Sequence, residues 1–190
     1  METLDLRVQK TYRSLIHAFE ELLNKKEFEN ILVTELCDAA MIRRPTFYSH
    51  FLDKYDFLTF FIRHKMNLIF DNVFKDLNQK SEDKAYQFFI LVFKQLLKQP
   101  DNLLELIFSV QIKSDIITEL KGIQEYGQSM LKKHVNTGKN YGNAIIVNEY
   151  KSQIVMGITI KSVYWYKINK NNISKEEMIS LYEETLEKLW

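Results

Sequence analysis

The chain has 190 residues, with 26 Lys and Arg against 25 Asp and Glu, a formal net charge of +1, and 46% hydrophobic beside 27% charged residues. These proportions fit a globular protein with a sizeable core, and the balance excludes a polyanion binder that works by net charge alone. Five Gly and two Pro leave few helix breakers, so an all-helical chain is expected, and the lone Cys37 excludes an internal disulfide.

Residues 7–24 place Val8, Tyr12, Leu15, Ile16, Phe19, Leu22 and Leu23 on one stripe, which predicts an amphipathic helix, and Phe28 is expected to fold back onto it. From Val33 to Lys54 the pattern tightens. Val33, Leu36, Cys37 and Ala40 follow the i, i+3, i+4, i+7 spacing of one helix face, with Cys37 as a small core hydrophobe in a reducing cytoplasm. Phe47 and Phe51 form a further i, i+4 pair. Pro is tolerated in a first helical turn, so a new helix starts near Arg44 or Pro45. Burying both apolar faces leaves Arg43, Arg44, Thr46, Tyr48 and His50 at the outer and leading surface of that helix, where donors reach phosphates and base edges. Thr34, at the start of the preceding helix, is a further phosphate candidate. Residues 1–54 carry eight basic against nine acidic side chains, so DNA binding here depends on where the charges point.

Asp53 opens a long helix to about Leu77, with Asp56 in its first turn. Its apolar residues, Phe57, Leu58, Phe60, Phe61, Ile62, Leu68, Ile69, Val73, Phe74 and Leu77, are too many for one stripe and predict packing on more than one side. Ser81 reads as the next helix start, followed by Ala85, Phe88, Phe89, Val92, Phe93, Leu96 and Leu97 at helical spacing. Gln99-Pro100-Asp101 ends that helix and begins another, apolar nearly all round from Leu103 to Val110. A helix is expected from Ser114 to about His134 and a loop from Asn136 to Asn143. Two final helices follow, about Ala144 to Lys167 and Lys175 to Leu189. The second carries a Ser174/Glu177 capping box and an Ile173/Met178 staple. Small residues at Gly157, Thr159 and Ser162 mark a face of the longer helix open to close approach. Glu20-Glu21 and Glu183-Glu184 read as solvated faces. His17, His50, His64 and His134 show no zinc spacing and no HExxH, and there is no Gly-rich phosphate loop, so neither an enzyme, a metal nor a cofactor is expected. No apolar run is long enough to span a membrane, and Met1 to Leu6 carries acids with no apolar stretch after it. A cytoplasmic protein is expected.

From Leu4 to Ile62 the sequence resembles the N-terminal DNA-binding domain of TetR/AcrR-type transcriptional regulators, above all in the run TFYSHFLDK from Thr46 to Lys54 and the Ala39-Ala40 pair. The resemblance implies an all-α fold, with a three-helix helix-turn-helix domain over 1–53 and a helical ligand-sensing and dimerisation domain over 54–190. It implies that Tyr48, His50 and Lys54 anchor the DNA backbone, Lys54 at a phosphate. The family commonly has Gly where Met41 stands, in a turn that needs positive φ, and a capping Ser, Thr or Asn where Arg43 stands.

Together these readings predict a transcriptional regulator, a homodimeric repressor that spans two operator half-sites and pairs through its last two helices in a four-helix bundle. Dense aromatics in the C-terminal part suggest an apolar effector cavity. Its candidate lining is Phe60, His64, Phe89, Phe93, Phe108, Tyr126, Met130 and Trp165, for a small apolar or aromatic effector. The alternative is a C-terminal domain that binds a protein partner and senses no small molecule.

Overall fold

Three helix starts among the described residues are set by a short acceptor side chain just ahead of the first turn. A computed structural model describes residues 5–77, 84–108 and 144–189, and all regular structure among them is helical. Asp5 accepts from the Arg7 amide at 3.0 Å and opens α1, Leu6–Leu23. A 3-10 turn, η1, covers Phe28–Asn30, and α2, Val33–Ala39, follows. The short α3 is Arg44–Tyr48. Asp53 accepts from the Tyr55 and Asp56 amides at 2.8 and 2.9 Å and opens α4, Lys54–Asp76. Then come α5, Lys84–Leu96, and α6, Asp101–Phe108. Next are α7, Ala144–Asn169, and α8, Lys175–Leu189. At α8 the capping box forms as the spacing predicts, with the Glu177 amide donating to Ser174 Oγ (3.1 Å) and the Ser174 amide to Glu177 Oε2 (2.8 Å). The expected Ser81 start, the helix from Ser114 and the Asn-rich loop lie outside the described residues. No described helix is long and apolar enough to cross a membrane.

The buried side chains form one continuous cluster from α1 to α8. Its first part is aromatic: Phe19 meets the edges of Phe28, Phe57 and Phe61 at centroid distances of 6.0, 5.2 and 4.8 Å. Phe28 does fold back onto α1. Helix α4 is buried on more than one side, as its wide apolar set requires. Phe57 and Phe61 face α1, while Phe70 and Phe74 stack against Phe88 of α5. Leu68, counted in that set, is exposed. Helix α5 sits among α4, α7 and α8, which explains why Phe88, Phe89, Ile90, Val92, Phe93, Leu96 and Leu97 are all buried. Phe93 stacks on Tyr182 of α8 at 4.0 Å. Tyr182 is buried to 1% exposure, and its hydroxyl shares a 2.6 Å hydrogen bond with Thr159, which itself donates to Val155 O at 2.7 Å. Thr159 is thus a buried polar contact between α7 and α8.

Two of the acids read as solvated reach across helices instead. Glu20 of α1 pairs with Lys65 of α4, and Glu183 of α8 with Lys94 of α5 at 2.7 Å. A second tie to α1 comes from α6, where Asn102 Nδ2 donates to Asn24 Oδ1 at 2.9 Å. Helix α6 is bound in turn to α7 through Lys167, which donates to Asp101 O (3.1 Å) and pairs with Glu105 (2.5 Å), and through the Lys170–Asp101 ion pair.

Candidate nucleic-acid interface

The arrangement of α2 and α3 follows from one residue with an unusual backbone. After Ala40 the chain must leave α2 sharply, and Met41 does so at φ 55°, the left-handed region. The Met41 amide donates to Asp38 O at 3.1 Å and the Ile42 amide to Cys37 O at 3.0 Å. This pair of bonds closes a Schellman motif, which places its left-handed residue one position past the helix cap. Glycine fills that position without strain; an L side chain there costs about 1–2 kcal/mol. The positive φ expected at Met41 is therefore present, and the side chain is 93% exposed, with no packing to offset the strain.

Helix α3 then begins with Arg43 extended at φ −80°, ψ 145° and no side-chain cap. Its carbonyl accepts from the Thr46 and Phe47 amides at 2.9 and 3.2 Å. Phe47 and Phe51 anchor the helix from below. Phe47 is fully buried against Phe51 and Phe57 (5.4 and 6.0 Å), and Phe51 lies 5.1 Å from Phe57. With that face held, Arg43, Arg44 and Tyr48 are exposed, and Thr46 and His50 are half-buried. The His50 ring stands edge-on to Tyr12 of α1 at 5.3 Å, interplanar angle 74°. Thr34 is half-buried in the first turn of α2.

The start of α2 lacks an acceptor side chain at Leu32, and Glu35 supplies part of the cap from the other direction. Its Oε2 accepts from the Leu32 amide at 3.0 Å and its Oε1 from Lys26 Nζ at 2.6 Å. These bonds, the Lys26 one foremost, hold the Glu35 carboxyl below the usual carboxylate range. Cys37 is buried, and burial pushes its thiol up, so it packs as an inert apolar group. Lys54 points into the protein, where Nζ donates to Phe28 O, Glu29 O and Ile31 O at 3.3, 2.8 and 3.3 Å. Tyr55 donates its hydroxyl to Glu29 Oε2 at 3.0 Å, a bond that raises its pKa.

No family model and no curated protein matches the sequence. Solved structures do match, over nearly the whole chain. FadR from Bacillus subtilis, solved in complex with stearoyl-CoA, superimposes with a TM-score of 0.67 at 19% identity, covering 94% of this chain and 97% of that one. The fatty acid degradation regulator FadR from Bacillus halodurans gives 0.68 at 18% identity, covering 94% and 93%. A Syntrophomonas wolfei protein assigned to the TetR family of transcriptional regulators gives 0.69 at 18% identity, covering 95% of each chain. The fold is that of a TetR-type regulator.

Within this TetR-type fold the described members of the expected effector lining, Phe60, His64, Phe89, Phe93 and Trp165, are spread over more than one place. Phe60 packs on Tyr12 and Phe51 (4.7 and 5.2 Å), and His64 stacks on Phe60 at 6.4 Å. Both therefore lie beside the helix-turn-helix core. Burial lowers the His64 pKa; Lys65 adds to that shift and Glu20 opposes it. Phe89 and Phe93 are buried at α5. Trp165 lies on the outer side of α7, in an open groove shared with Ile168 of the same helix and Leu181 of the neighbouring α8. Tyr126, Met130 and the side chain of Phe108 lie outside the described residues. Gly157 and Ser162 line the same outer groove, whereas Thr159 turns inward to Tyr182. The small residues therefore divide between two faces.

Proposed function

We propose that this TetR-type chain is a DNA-binding transcriptional regulator that acts as a homodimeric repressor. Residues 1–53 form its DNA-binding domain and 54–190 its ligand-sensing and dimerisation domain. The observation that carries this reading is the exposure of Arg43 and Arg44 at the leading end of a five-residue helix whose opposite side is pinned by Phe47 and Phe51. A short helix held this way can enter a major groove about 12 Å wide, and an Arg at its first turn can pair bidentately with guanine O6 and N7. Arg43 and Arg44 read base edges. Thr46 meets a thymine methyl or a phosphate, and Tyr48, His50 and Thr34 anchor the backbone.

The dimer forms through the outer face of α7 and α8, where Trp165, Ile168 and Leu181 are 46%, 63% and 45% exposed. The effector is a small apolar or aromatic molecule; the apolar acyl chain of the stearoyl-CoA in the Bacillus subtilis FadR structure supports the apolar part of this reading. An effector that binds the DNA-incompetent spacing of the two α3 helices more tightly shifts the population away from the operator. The burial of Phe88, Phe89 and Phe93 to 2% exposure or less favours a second reading, in which the C-terminal domain docks a protein. Selection from a random duplex library would supply an operator. On that operator Arg44→Ala is expected to cost about 1–3 kcal/mol while leaving binding to scrambled duplex nearly unchanged. Equal losses on both would reassign Arg44 to a phosphate. No binding of wild type to any duplex would end the reading, and loss of the selected complex on adding acyl-CoA would favour the effector over the protein partner.

A further inference from the structure

The connector between α1 and α2 has almost no regular structure, yet it must hold α2 in register with the rest of the head. Its single 3-10 turn returns one backbone donor to Phe28 O, the Ile31 amide at 3.0 Å, and gives the Glu29 and Ile31 carbonyls no following helical turn to donate to them. All three of these carbonyls, on Phe28, Glu29 and Ile31, converge on the Lys54 ammonium. An ammonium has three N–H donors and no acceptor, so these bonds use its full capacity. The charge also lies 4.8 Å from the Phe28 ring centroid, 5.5 Å from that of Tyr55 and 3.9 Å from the Glu29 carboxylate. The next residue repeats the contact: Tyr55 donates to Glu29 and meets the Phe28 ring edge-on at 5.3 Å.

We propose that Lys54 is a positioning residue that locks the first turn of α4 to the η1 connector, and that it does not spend its charge on a DNA phosphate. The phosphate half of this statement rests on the DNA-binding reading; the locking half does not. Ile31 is two residues ahead of Val33, so fixing its carbonyl fixes the entry of α2. Glu35 then ties the Leu32 amide and Lys26 to the same entry. To reach a phosphate, Lys54 would have to release three carbonyls, two ring faces and a carboxylate at once. Arg43 and Arg44 stand exposed at the tip of the head.

The test uses the full-length chain. In wild type without DNA, Lys54 is expected to acetylate at least about tenfold more slowly than the exposed Lys25, since charge-assisted hydrogen bonds must break first. Equal rates overturn the proposal, and this measurement needs no variant that folds. In Lys54→Met, amides of residues 28–36 are expected to exchange at least about tenfold faster than in wild type; unchanged exchange overturns it. On a random-sequence duplex, the variant is expected to bind more weakly with the wild-type slope of log affinity against log salt. A slope reduced by about 0.9 is the mark of one lost phosphate contact and overturns it. If wild type binds no duplex, the proposed function fails, while acetylation and exchange still decide whether Lys54 is a lock.

Discussion

Met41 shows a single side chain working against the backbone it occupies. The Schellman bonds from Met41 and Ile42 fix φ at 55°, and the exposed Met side chain gains nothing in return. Met41→Gly is expected to stabilise the protein by about 0.5–1 kcal/mol, the left-handed penalty less the extra entropy of an unfolded glycine. Equilibrium urea unfolding would check it; a loss of stability would mean that the strain at this φ is smaller than the entropy. His64 gives a pH dependence. An imidazole in the unfolded chain titrates near 6.5, whereas burial lowers the folded value. Between those two values the unfolded chain holds a proton that the native chain does not, so stability falls as pH drops through the window and levels off below it. Replacing His64 by Gln is expected to flatten the unfolding midpoint between about pH 7.5 and about pH 5 relative to wild type. A variant that keeps the full slope would assign it to other groups.

Helices in this chain announce their ends more clearly than their neighbours. The starts of α4 and α8 were readable at Asp53 and at Ser174 with Glu177 because a cap is written within four consecutive residues. Pro45 marked the start of α3 for a different reason, because proline is tolerated in a first helical turn. What periodicity could not supply was the direction in which α4 divides its aromatics. Phe60 could face either end of the molecule, and only its contact with Tyr12, 48 positions earlier, places it beside the helix-turn-helix. The Lys54 cluster was equally hidden, because its acceptors are backbone carbonyls, which every residue possesses. Between α7 and α8 the buried hydroxyl pair gives an asymmetric prediction. Tyr182→Phe leaves Thr159 bonded to Val155 O and is expected to cost about 1 kcal/mol, while Thr159→Val strands the buried Tyr182 hydroxyl and costs about 1–3 kcal/mol. Thermal unfolding of both variants would rank them, and the reverse order would mean that the Tyr182 hydroxyl finds another acceptor.

At the scale of the whole molecule, the sequence located the outer groove less well than the head. Gly157 and Ser162 suggested a close-approach face, but the apolar residues that make the groove, Trp165, Ile168 and Leu181, are spread over two helices and become one surface only when α7 and α8 pack. A wild-type dimer is expected to elute near twice the 22.7 kDa chain mass. Trp165→Glu combined with Ile168→Glu is expected to return it to the single-chain mass without loss of helicity, because both side chains are exposed in one chain. Light scattering after size exclusion would decide, and a strictly monomeric wild type at micromolar concentration would remove the dimer.

Helix α4 meets α1 and the η1 connector at its start and α5 towards its end, over 23 residues. At 1.5 Å per residue it is about 34 Å long. A rod of that length tilted by about 5° around one end displaces the other by about 3 Å, close to the 3.4 Å rise between stacked base pairs. The Lys65–Glu20 pair and the Lys54 cluster leave α1 and η1 little freedom to lag behind. If the chain binds DNA as proposed, a rearrangement among the aromatics of α5 that tilts α4 by this angle would move α3 by about one base-pair step.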